Sequence, residues 1–505
     1  MNRTTFFMFF MSITCAFGFL HKPSVQAKPV KLCPVVTLEG SWKKIGYDTA
    51  YYFRHTIEKG AKQFRNLGVK PRRAQEYYDE VERFIHDDIK EQILGMRNGL
   101  SAVGLTMNPP KKELIWNFSM DIMKSWNLGC TAFAFNSKSG TFLAHNTDNV
   151  GVTIDMNTVI HFKPDNGDNS FLSFFSPGFV GVGMGINEKK LALSFNVGEP
   201  NNNAQPGLPV VFKAREVMAK CDDLQCAIDT FSRFLDREEA NYGELGAILT
   251  VVDFKDSTMA RIQICSDGMS VTYGHELHAE DVTYSAVANH FEGRCALQKP
   301  GRFRPLAWFL GIFRGNRKDS SHHRYERLME LLTTEGISYD METCWWILTD
   351  YREKSSPTNN TICRRGFPVS TTASHVLTER FCYYSLGLPS KYLARYGKPL
   401  FIDLDDGLSR AVRPSITGTV KKSSDDTVVP STPIDLILLP ASDDKLPFSP
   451  KDDKLTTYTS PKGKFVFNNL VAGEYLVRVG KQHPDVDVKY DGENVEDLEF
   501  YINHK

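Results

Sequence analysis

The chain has 505 residues, of which 41% are hydrophobic and 24% charged, a composition of folded rather than disordered or collagen-like protein. Sixty Lys and Arg balance sixty Asp and Glu, so the formal net charge is zero. That balance argues against a nucleic-acid binder that works through overall positive charge, and against an acidic solvating tail.

The amino terminus reads as an address. Asn2-Arg3 form a short basic start, residues 6–20 are almost wholly apolar, and Val25-Gln26-Ala27 offers a small-x-small cleavage site before Lys28. This three-part pattern predicts a signal peptide over residues 1–27 and a secreted protein, extracellular or periplasmic, or lumenal in a eukaryote. A membrane anchor needs about 18–20 apolar residues, more than the run of 6–20 supplies. Cys15 invites a lipoprotein reading, but Thr14 before it fits that signal poorly. No other stretch is long and apolar enough to span a membrane once the signal is removed.

Nine cysteines remain after Cys15: 33, 130, 221, 226, 265, 295, 344, 363 and 382. An odd number in a secreted chain leaves a free thiol. Spacing does not fix the pairing; Cys221 and Cys226 could bridge locally or stay as buried thiols. No CxxC pair or HExxH motif is present, so a structural zinc or zincin site has no support. His322-His323 read as a solvated patch, and Trp345-Trp346 as core.

Along the chain, residues 28–129 read as mainly helical, with periodic stretches at Ala50–Phe64, Arg73–Leu94 and Lys111–Ser125. From Cys130 to about 412, strands are expected at Thr131–Phe135, Thr141–Asn146, Val159–Phe162, Lys190–Asn196, Ala247–Asp253 and Ala260–Ser266. Helices interrupt them at Val211–Lys220, running into Leu224–Leu235, and at Tyr325–Thr334. Helical and strand-rich blocks alternate without a βαβ rhythm, which favours an α+β fold. The glycines of Gly181-Val-Gly183-Met-Gly185 have the wrong spacing for a dinucleotide loop and read as a turn. Past Arg413, short strands at Ile416–Lys421, Ile434–Leu439, Lys464–Phe467, Glu474–Val479 and Leu498–Ile502 suit a small β-sandwich over 414–505.

The chemistry concentrates in Gly129-Cys130-Thr131-Ala-Phe-Ala-Phe135 and in Gly140-Thr-Phe-Leu-Ala-His145-Asn146-Thr-Asp148. These read as two strands joined by a five-residue loop, 136–140. With the turn centred on Lys138, Cys130 lies opposite Asn146, and Asp148 follows on the same face. A register slip of one residue would move the carboxylate to the other face. The cluster makes chemical sense if the Gly129–Cys130 peptide bond is cut. A free α-amine titrates near pH 7.7–8.0 (about) and could take the proton from its own thiol. Gly129 leaves the bond unobstructed, a carboxylate could hold the ammonium, and amide donors could hold an oxyanion. The competing reading of the same residues is a buried cysteine before a hairpin.

Gly-Cys-Thr followed by a hairpin ending in Asn146-x-Asp148 resembles the acyl-CoA:6-aminopenicillanic acid acyltransferase family. These are N-terminal-nucleophile (Ntn) cysteine enzymes related to choloylglycine hydrolases and acid ceramidase. Further motifs fall in order over about residues 40–395. Ile89 to Gly99 looks like the family's helix and glycine-bearing turn, and Gly183 to Asn187 with Leu191 to Asn196 like its central hairpin. Ala288-Asn289-His290-Phe291 is similar to its N-H-F segment, Ser320 to Leu332 to its Ser- and Arg-bearing helix start. Ser370-Thr371-Thr372 and Tyr384 to Pro389 resemble its closing strands. The segment Thr459 to Tyr475 resembles the carboxypeptidase-regulatory-like (transthyretin-like) sandwich.

The resemblance implies a four-layer αββα sandwich followed by a small all-β domain, and an enzyme acting on carbon–nitrogen amide bonds, or on thioesters, through an acyl-Cys130 intermediate. That acyl chemistry calls for no metal or organic cofactor. Cys130 would cut the chain after Gly129 and serve as nucleophile, Asp148 would position it, and Asn289 would be an oxyanion-hole donor. Thr131, Asn146, Asn196 and His290 would bind substrate or support the site. Asn196 and His290 also read as an ordinary strand-end residue and a structural histidine. Asn146 stands where the related bile-salt hydrolases and ceramidases carry arginine, which weakens any inference of their substrates. The expected partner is a small N-acyl compound, with the two self-cleaved chains remaining associated and the sandwich free to contact a glycan or protein. Residues 295–318, with Trp308, Phe309 and Phe313, form an insertion that reads as a lid or as a surface excursion. CoA-dependent transfer, a non-catalytic protein on the same scaffold and a phospholipase-B-like hydrolase stay open as alternatives.

Overall fold

The computed structural model describes residues 35–66, 68–102, 111–123, 129–150, 158–200, 207–235, 245–265, 268–277, 282–292, 295, 317–351, 360–365, 369–390, 393, 399–404, 415–429, 432–438, 454–459, 462–468, 473–479, 486–490 and 495–502. The expected signal peptide, Cys33 and residues 296–316 of the insertion lie outside them. The described fold is mixed α/β with several sheets.

Two sheets dominate. The first has eight strands in the spatial order Val35–Gly40, Thr158–Pro164, Phe171–Phe175, Met184–Asn187, Leu191–Pro200, Leu245–Asp253, Thr258–Cys265 and Gly268–Tyr273. Its first pair is parallel and the others antiparallel. The second has seven: His275–Leu277, Val282–Val287, Gly129–Ser137, Gly140–Val150, Val369–Leu377, Phe381–Leu386 and Leu400–Asp403.

Side-chain alternation divides each sheet into two faces. In the first sheet, Leu193, Leu249, Ile262 and Ile264 join one core cluster with Trp42, Ile57, Ile93 and Phe118 of the amino-terminal helices and Phe212 and Phe231 of helices Val210–Lys220 and Leu224–Leu235. The opposite face, with Leu172, Ile186, Ala192 and Val252, packs on Ala134, Leu143, Leu377 and Tyr384 of the second sheet. Phe133, Phe135 and Phe142 then leave the far face of the second sheet toward Leu328, Leu331 and Trp345 of helices Arg317–Leu332 and Met341–Leu348. Each such buried Phe contributes about 1.5–3 kcal/mol of burial. Trp346, expected in the core beside Trp345, is instead 45% exposed.

The helical region differs from the pattern reading in two places. The expected helix Arg73–Leu94 is broken: Pro71–Val81 ends in a 3-10 turn at Glu82–Phe84, Ile85 is extended, and a new helix runs Asp87–Ala102. Asp87 and Asp88 favour that restart, as acidic residues suit a helix amino terminus. Gly95 and Gly99 therefore sit inside a helix rather than in a turn. A Cβ on Gly95 would lie 2.0 Å from the Lys43 carbonyl oxygen, so glycine lets this helix cross Trp42–Asn66 backbone to backbone.

Residues 415–502 contain strands only, among those described. Lys464–Asn468, Ser415–Lys422 and Val495–Ile502 form one sheet; Lys454–Tyr458, Pro433–Leu438, Gly473–Val479 and Val486–Tyr490 form another. Lys454–Tyr458 and Val486–Tyr490 are additional to the five expected strands. Ile416, Val420, Ile434, Leu436, Phe465, Val477 and Phe500 make a separate core. The buried Tyr51 hydroxyl donates to the Thr459 carbonyl at 2.9 Å and ties this module to helix Trp42–Asn66.

Candidate active site

The site is built on the hairpin of the second sheet. Its strands pair Gly129 with Asp148, Cys130 with Thr147, Thr131 with Asn146, and so on to Ser137 with Gly140. The expected register is thus corrected by one residue, and the five-residue loop shrinks to the two-residue turn Lys138-Ser139. Polar side chains brace it: Thr141 Oγ1 donates to Asn136 Oδ1 at 2.9 Å, and the Ser139 amide to Ser137 Oγ at 3.1 Å. Those bonds let the ladder continue through residues that composition assigned to a loop.

The corrected register decides which groups share a face. Cys130, Ala132, His145 and Thr147 turn toward the first sheet; Gly129, Thr131, Asn146 and Asp148 turn toward helix Arg317–Leu332 and residues 361–365. The thiol and the carboxylate therefore leave the hairpin on opposite sides. Asn146 is not beside the thiol: its amide nitrogen donates to Leu348 O at 3.0 Å and Ile362 O at 3.1 Å, and Ser374 Oγ donates to its oxygen at 2.6 Å. It is a structural tie.

Cys130 is clasped through its backbone. Its amide donates to Asn289 Oδ1 at 2.9 Å, and its carbonyl accepts from Arg324 Nη1 at 2.5 Å. Arg324 also donates to Thr131 Oγ1 at 2.8 Å and, through Nη2, to Asn289 Oδ1 at 2.6 Å. With two donors on that oxygen, the Asn289 nitrogen points away, donating to Val197 O at 2.7 Å. Asn289 thus presents an acceptor to Cys130, not the amide donor expected for an oxyanion hole. Its own backbone N–H donates to Ser321 Oγ at 2.7 Å, and Ser321 Oγ contacts His290 Nδ1 at 2.9 Å. His290 stacks on the exposed His322, with ring centroids 4.1 Å apart. Asn196 lies within a strand rather than at a turn, and its amide donates to Ala288 O at 2.9 Å, bridging the first sheet to the Asn289 segment.

Asp148 is 1% exposed. Thr371 Oγ1 donates to its Oδ1 at 2.7 Å, Arg364 Nη1 to its Oδ2 at 3.4 Å, and Arg324 Nη1 lies at 4.0 Å. A bulge between Thr371 and Ala373 keeps Thr371 opposite Asp148. Burial pushes the Asp148 carboxyl up from its ordinary range, and Arg364, Arg324 and Thr371 oppose that rise. Burial, with the Asp148 charge adding to it, pushes the Cys130 thiol up to about 12; the Asp148 backbone amide, Arg324 and Arg364 pull the other way. At neutral pH this thiol is protonated.

The sequence reading named Gly129, Cys130, Thr131, Asp148 and Asn289, which the structure brings into one network, and missed Arg324, Arg364, Thr371 and Ser321 as members of it. Arg324 had a readable signal: with Leu328 and Leu331 it occupies i, i+4, i+7 on the buried face of its helix, where an unpaired cation would be costly.

The described residues hold two disulfides: Cys265–Cys295, which packs beside Ala132 of the hairpin, and Cys221–Cys226, at the junction of helices Val210–Lys220 and Leu224–Leu235. Cys130, Cys344 and Cys363 are buried free thiols. Among the described residues no group of three His, Cys, Asp or Glu is arranged to hold a metal ion, and no helix is long and apolar enough to cross a membrane.

No curated protein matches the chain. Among solved structures it is similar to an N-acylethanolamine-hydrolyzing acid amidase ortholog of Caenorhabditis elegans, at 15% identity over 55% of this chain and 100% of that one, with a TM-score of 0.32. A mutant conjugated bile acid hydrolase of Clostridium perfringens is similar at 11% identity over 55% of this chain and 93% of that one, with a TM-score of 0.34. Residues 135–342, which follow Cys130 and run through the Asn289 segment and the Arg324 helix, match the family model of acyl-coenzyme A:6-aminopenicillanic acid acyl-transferase.

Proposed function

We propose that the protein is a self-processing cysteine enzyme of the Ntn type, on an αββα frame with an accessory β-sandwich, that breaks amide bonds of N-acyl compounds through an acyl-Cys130 intermediate. The observation that carries this reading is the clasp on Cys130, whose N–H and carbonyl are held by Asn289 and Arg324 while Gly129 precedes it. The family match supports acyl chemistry at a carbon–nitrogen bond.

In the proposed sequence, Cys130 Sγ attacks the Gly129 carbonyl and the peptide bond is replaced by a thioester, which water hydrolyses. The freed α-amine, with an ordinary pKa of about 7.7–8.0, then serves as base for its own thiol. Asn289 Oδ1 already accepts from that nitrogen and would orient the amine. Asp148 would hold Arg324 and Arg364 around the new terminus, and Thr131 would help fix Arg324. Leu38, Trp42, Ile57, Ile93 and Phe118 share one core cluster with the first sheet, which supports continued association of the two chains after the cut. The leader-like residues 1–27 favour a secreted protein, and hence hydrolysis of an N-acyl compound over transfer from CoA.

Intact mass of the mature protein under denaturing conditions tests the reading. Two chains are expected, the larger beginning at Cys130, against one uncut chain for Cys130→Ala. Wild type that remains whole while hydrolysing N-acyl amides would refute self-processing, and rapid transfer from acyl-CoA without amide turnover would reverse the choice of reaction.

A further inference from the structure

Before the first cut no free amine exists at residue 130, so the amine that serves the mature enzyme cannot serve the precursor. The uncut chain must find its base elsewhere. On the face of the hairpin that carries the thiol, Thr147 is directly opposite Cys130 and His145 follows, opposite Ala132. Directly opposed residues have Cβ atoms about 4.5–5.5 Å apart, which puts the Thr147 hydroxyl within rotamer reach of Sγ. His145 Nδ1 lies 3.2 Å from Thr147 Oγ1.

All three side chains are withdrawn from solvent, Cys130 at 6% exposed, Thr147 at 8% and His145 at 2%. Among the described residues the far ring nitrogen, Nε2, has no hydrogen-bond partner of good geometry, and neither has Asn196 Oδ1. The Phe195 carbonyl and the Asn196 side chain face the ring from the first sheet. A ring proton on Nε2 suits those two oxygens and leaves the Nδ1 lone pair for the Thr147 hydroxyl proton. His375 is paired with His145 on the next strand and is also buried. Burial pulls His145 down to about 4, against the Phe195 carbonyl and Asn196, so the ring is neutral at pH 7.

We propose that Thr147 and His145 form a proton relay that activates Cys130 for the first, self-cleaving step. The Cys130 S–H proton passes to Thr147 Oγ1 as the Thr147 hydroxyl proton passes to His145 Nδ1. The sulfur electron pair forms a bond to the Gly129 carbonyl carbon, and the C–N bond to Cys130 breaks. The departing nitrogen takes a proton back along the relay, leaving a Gly129–Cys130 thioester, a free amine and neutral His145. Water then releases the Gly129 carboxylate. His145 acts through Thr147 and does not touch the reacting carbon, so it is a positioning and proton-accepting residue.

The relay rests on the self-processing reading, and the experiment separates the two. Time courses of chain cutting are followed by denaturing mass spectrometry for full-length wild type, His145→Asn, Thr147→Val, Thr147→Ser and the double variant His145→Asn/Thr147→Val. Near-ultraviolet circular dichroism establishes that each is folded. Asn at 145 keeps an acceptor for the Thr147 hydroxyl but no base. His145→Asn and Thr147→Val are each expected to slow cutting by about 100-fold, the low end for general acid–base catalysis. Thr147→Ser stays within about threefold of wild type, and the double variant is no slower than the worse single one, since groups acting as one unit are not additive. Cutting by His145→Asn within about threefold of wild type overturns the relay alone, as does failure of Thr147→Ser to rescue. A wild-type chain that never cuts overturns the self-processing reading and the relay with it.

Discussion

Arg364 stands where a side chain on Gly129 would be: a Cβ built there would lie 1.9 Å from Arg364 Nη1. Arg364 is 6% exposed and reaches Asp148 at 3.4 Å, so it has little free space into which to retreat. The residue before Cys130 is therefore held to glycine by this ion pair. Gly129→Ala is expected to push Arg364 off Asp148, lower the melting temperature and slow self-cleavage at least tenfold, as an order-of-magnitude expectation for a misplaced reacting group. An alanine variant that melts and cuts like wild type would remove this role from Arg364.

Asp148 faces two buried guanidiniums, with side-chain exposures of 7% for Arg364 and 2% for Arg324. Asp148→Asn leaves both without their anion, and breaking a buried charge pair costs about 3–5 kcal/mol. Thr371→Val removes one hydroxyl, which donates to the same carboxylate and accepts from the Arg364 backbone N–H at 2.9 Å, and is expected to cost about 1–3 kcal/mol. Urea unfolding of the three proteins checks the order. Equal loss in the two variants would mean that the hydroxyl, not the guanidiniums, holds the carboxylate.

How much of this was readable from sequence depends on distance along the chain. Cys130 and Asp148 share one hairpin, and the Gly-Cys-Thr and Asn-x-Asp motifs locate both, but the face each occupies hung on whether the turn held two residues or five. Composition cannot settle that, because Asn136, Ser137 and Gly140 suit a loop as well as a braced strand end. Arg324 and Arg364 reach Asp148 from 176 and 216 residues away in sequence (324 − 148 and 364 − 148), and only the packing of separate elements brings them together. The long apolar strands and paired helices followed from periodicity; the break at Ile85 did not, since the helical pattern continues through it.

Buried histidines give the fold an acid-sensitive core. Burial draws His145 and His161 down to about 4 and His375 to about 3, from an ordinary 6.5. Between pH 6.5 and about 4 the unfolded chain takes up protons that the folded chain refuses, so these residues remove stability as pH falls through that window. Asp121 has the opposite sign: burial pushes it from 3.8 up to about 7, so it removes stability as pH rises across that range. His375→Phe is expected to flatten the acid slope by on the order of 1–3 kcal/mol, and Asp121→Asn to stabilise at pH 8 but not at pH 4. Thermal melts across pH 4–8 read both; unchanged slopes would show that the two groups titrate alike in the folded and unfolded chains.

The Cys265–Cys295 bond anchors the segment that carries Asn289. Cys265 ends a strand of the first sheet, Cys295 follows Asn289 and Phe291, and both sulfurs pack with Ala132 and Ile248 between the sheets. The bridge spans 30 residues of sequence, against 5 for Cys221–Cys226. Loop-closure entropy assigns about 3–4 kcal/mol to the longer loop and about 2 kcal/mol to the shorter. Cys265→Ala/Cys295→Ala should therefore destabilise more than Cys221→Ala/Cys226→Ala. It should also loosen Asn289, which sits within the longer loop and accepts from the Cys130 nitrogen, so turnover of the variant falls with the melting temperature. The shorter bridge closes the turn between two helices on the far side of the first sheet, and its loss should lower stability while leaving turnover at temperatures below the melt unchanged. Comparing kcat and Tm for the two double variants separates a clamp on the site from a staple on the scaffold, and equal kcat losses would assign the longer bridge to the scaffold alone.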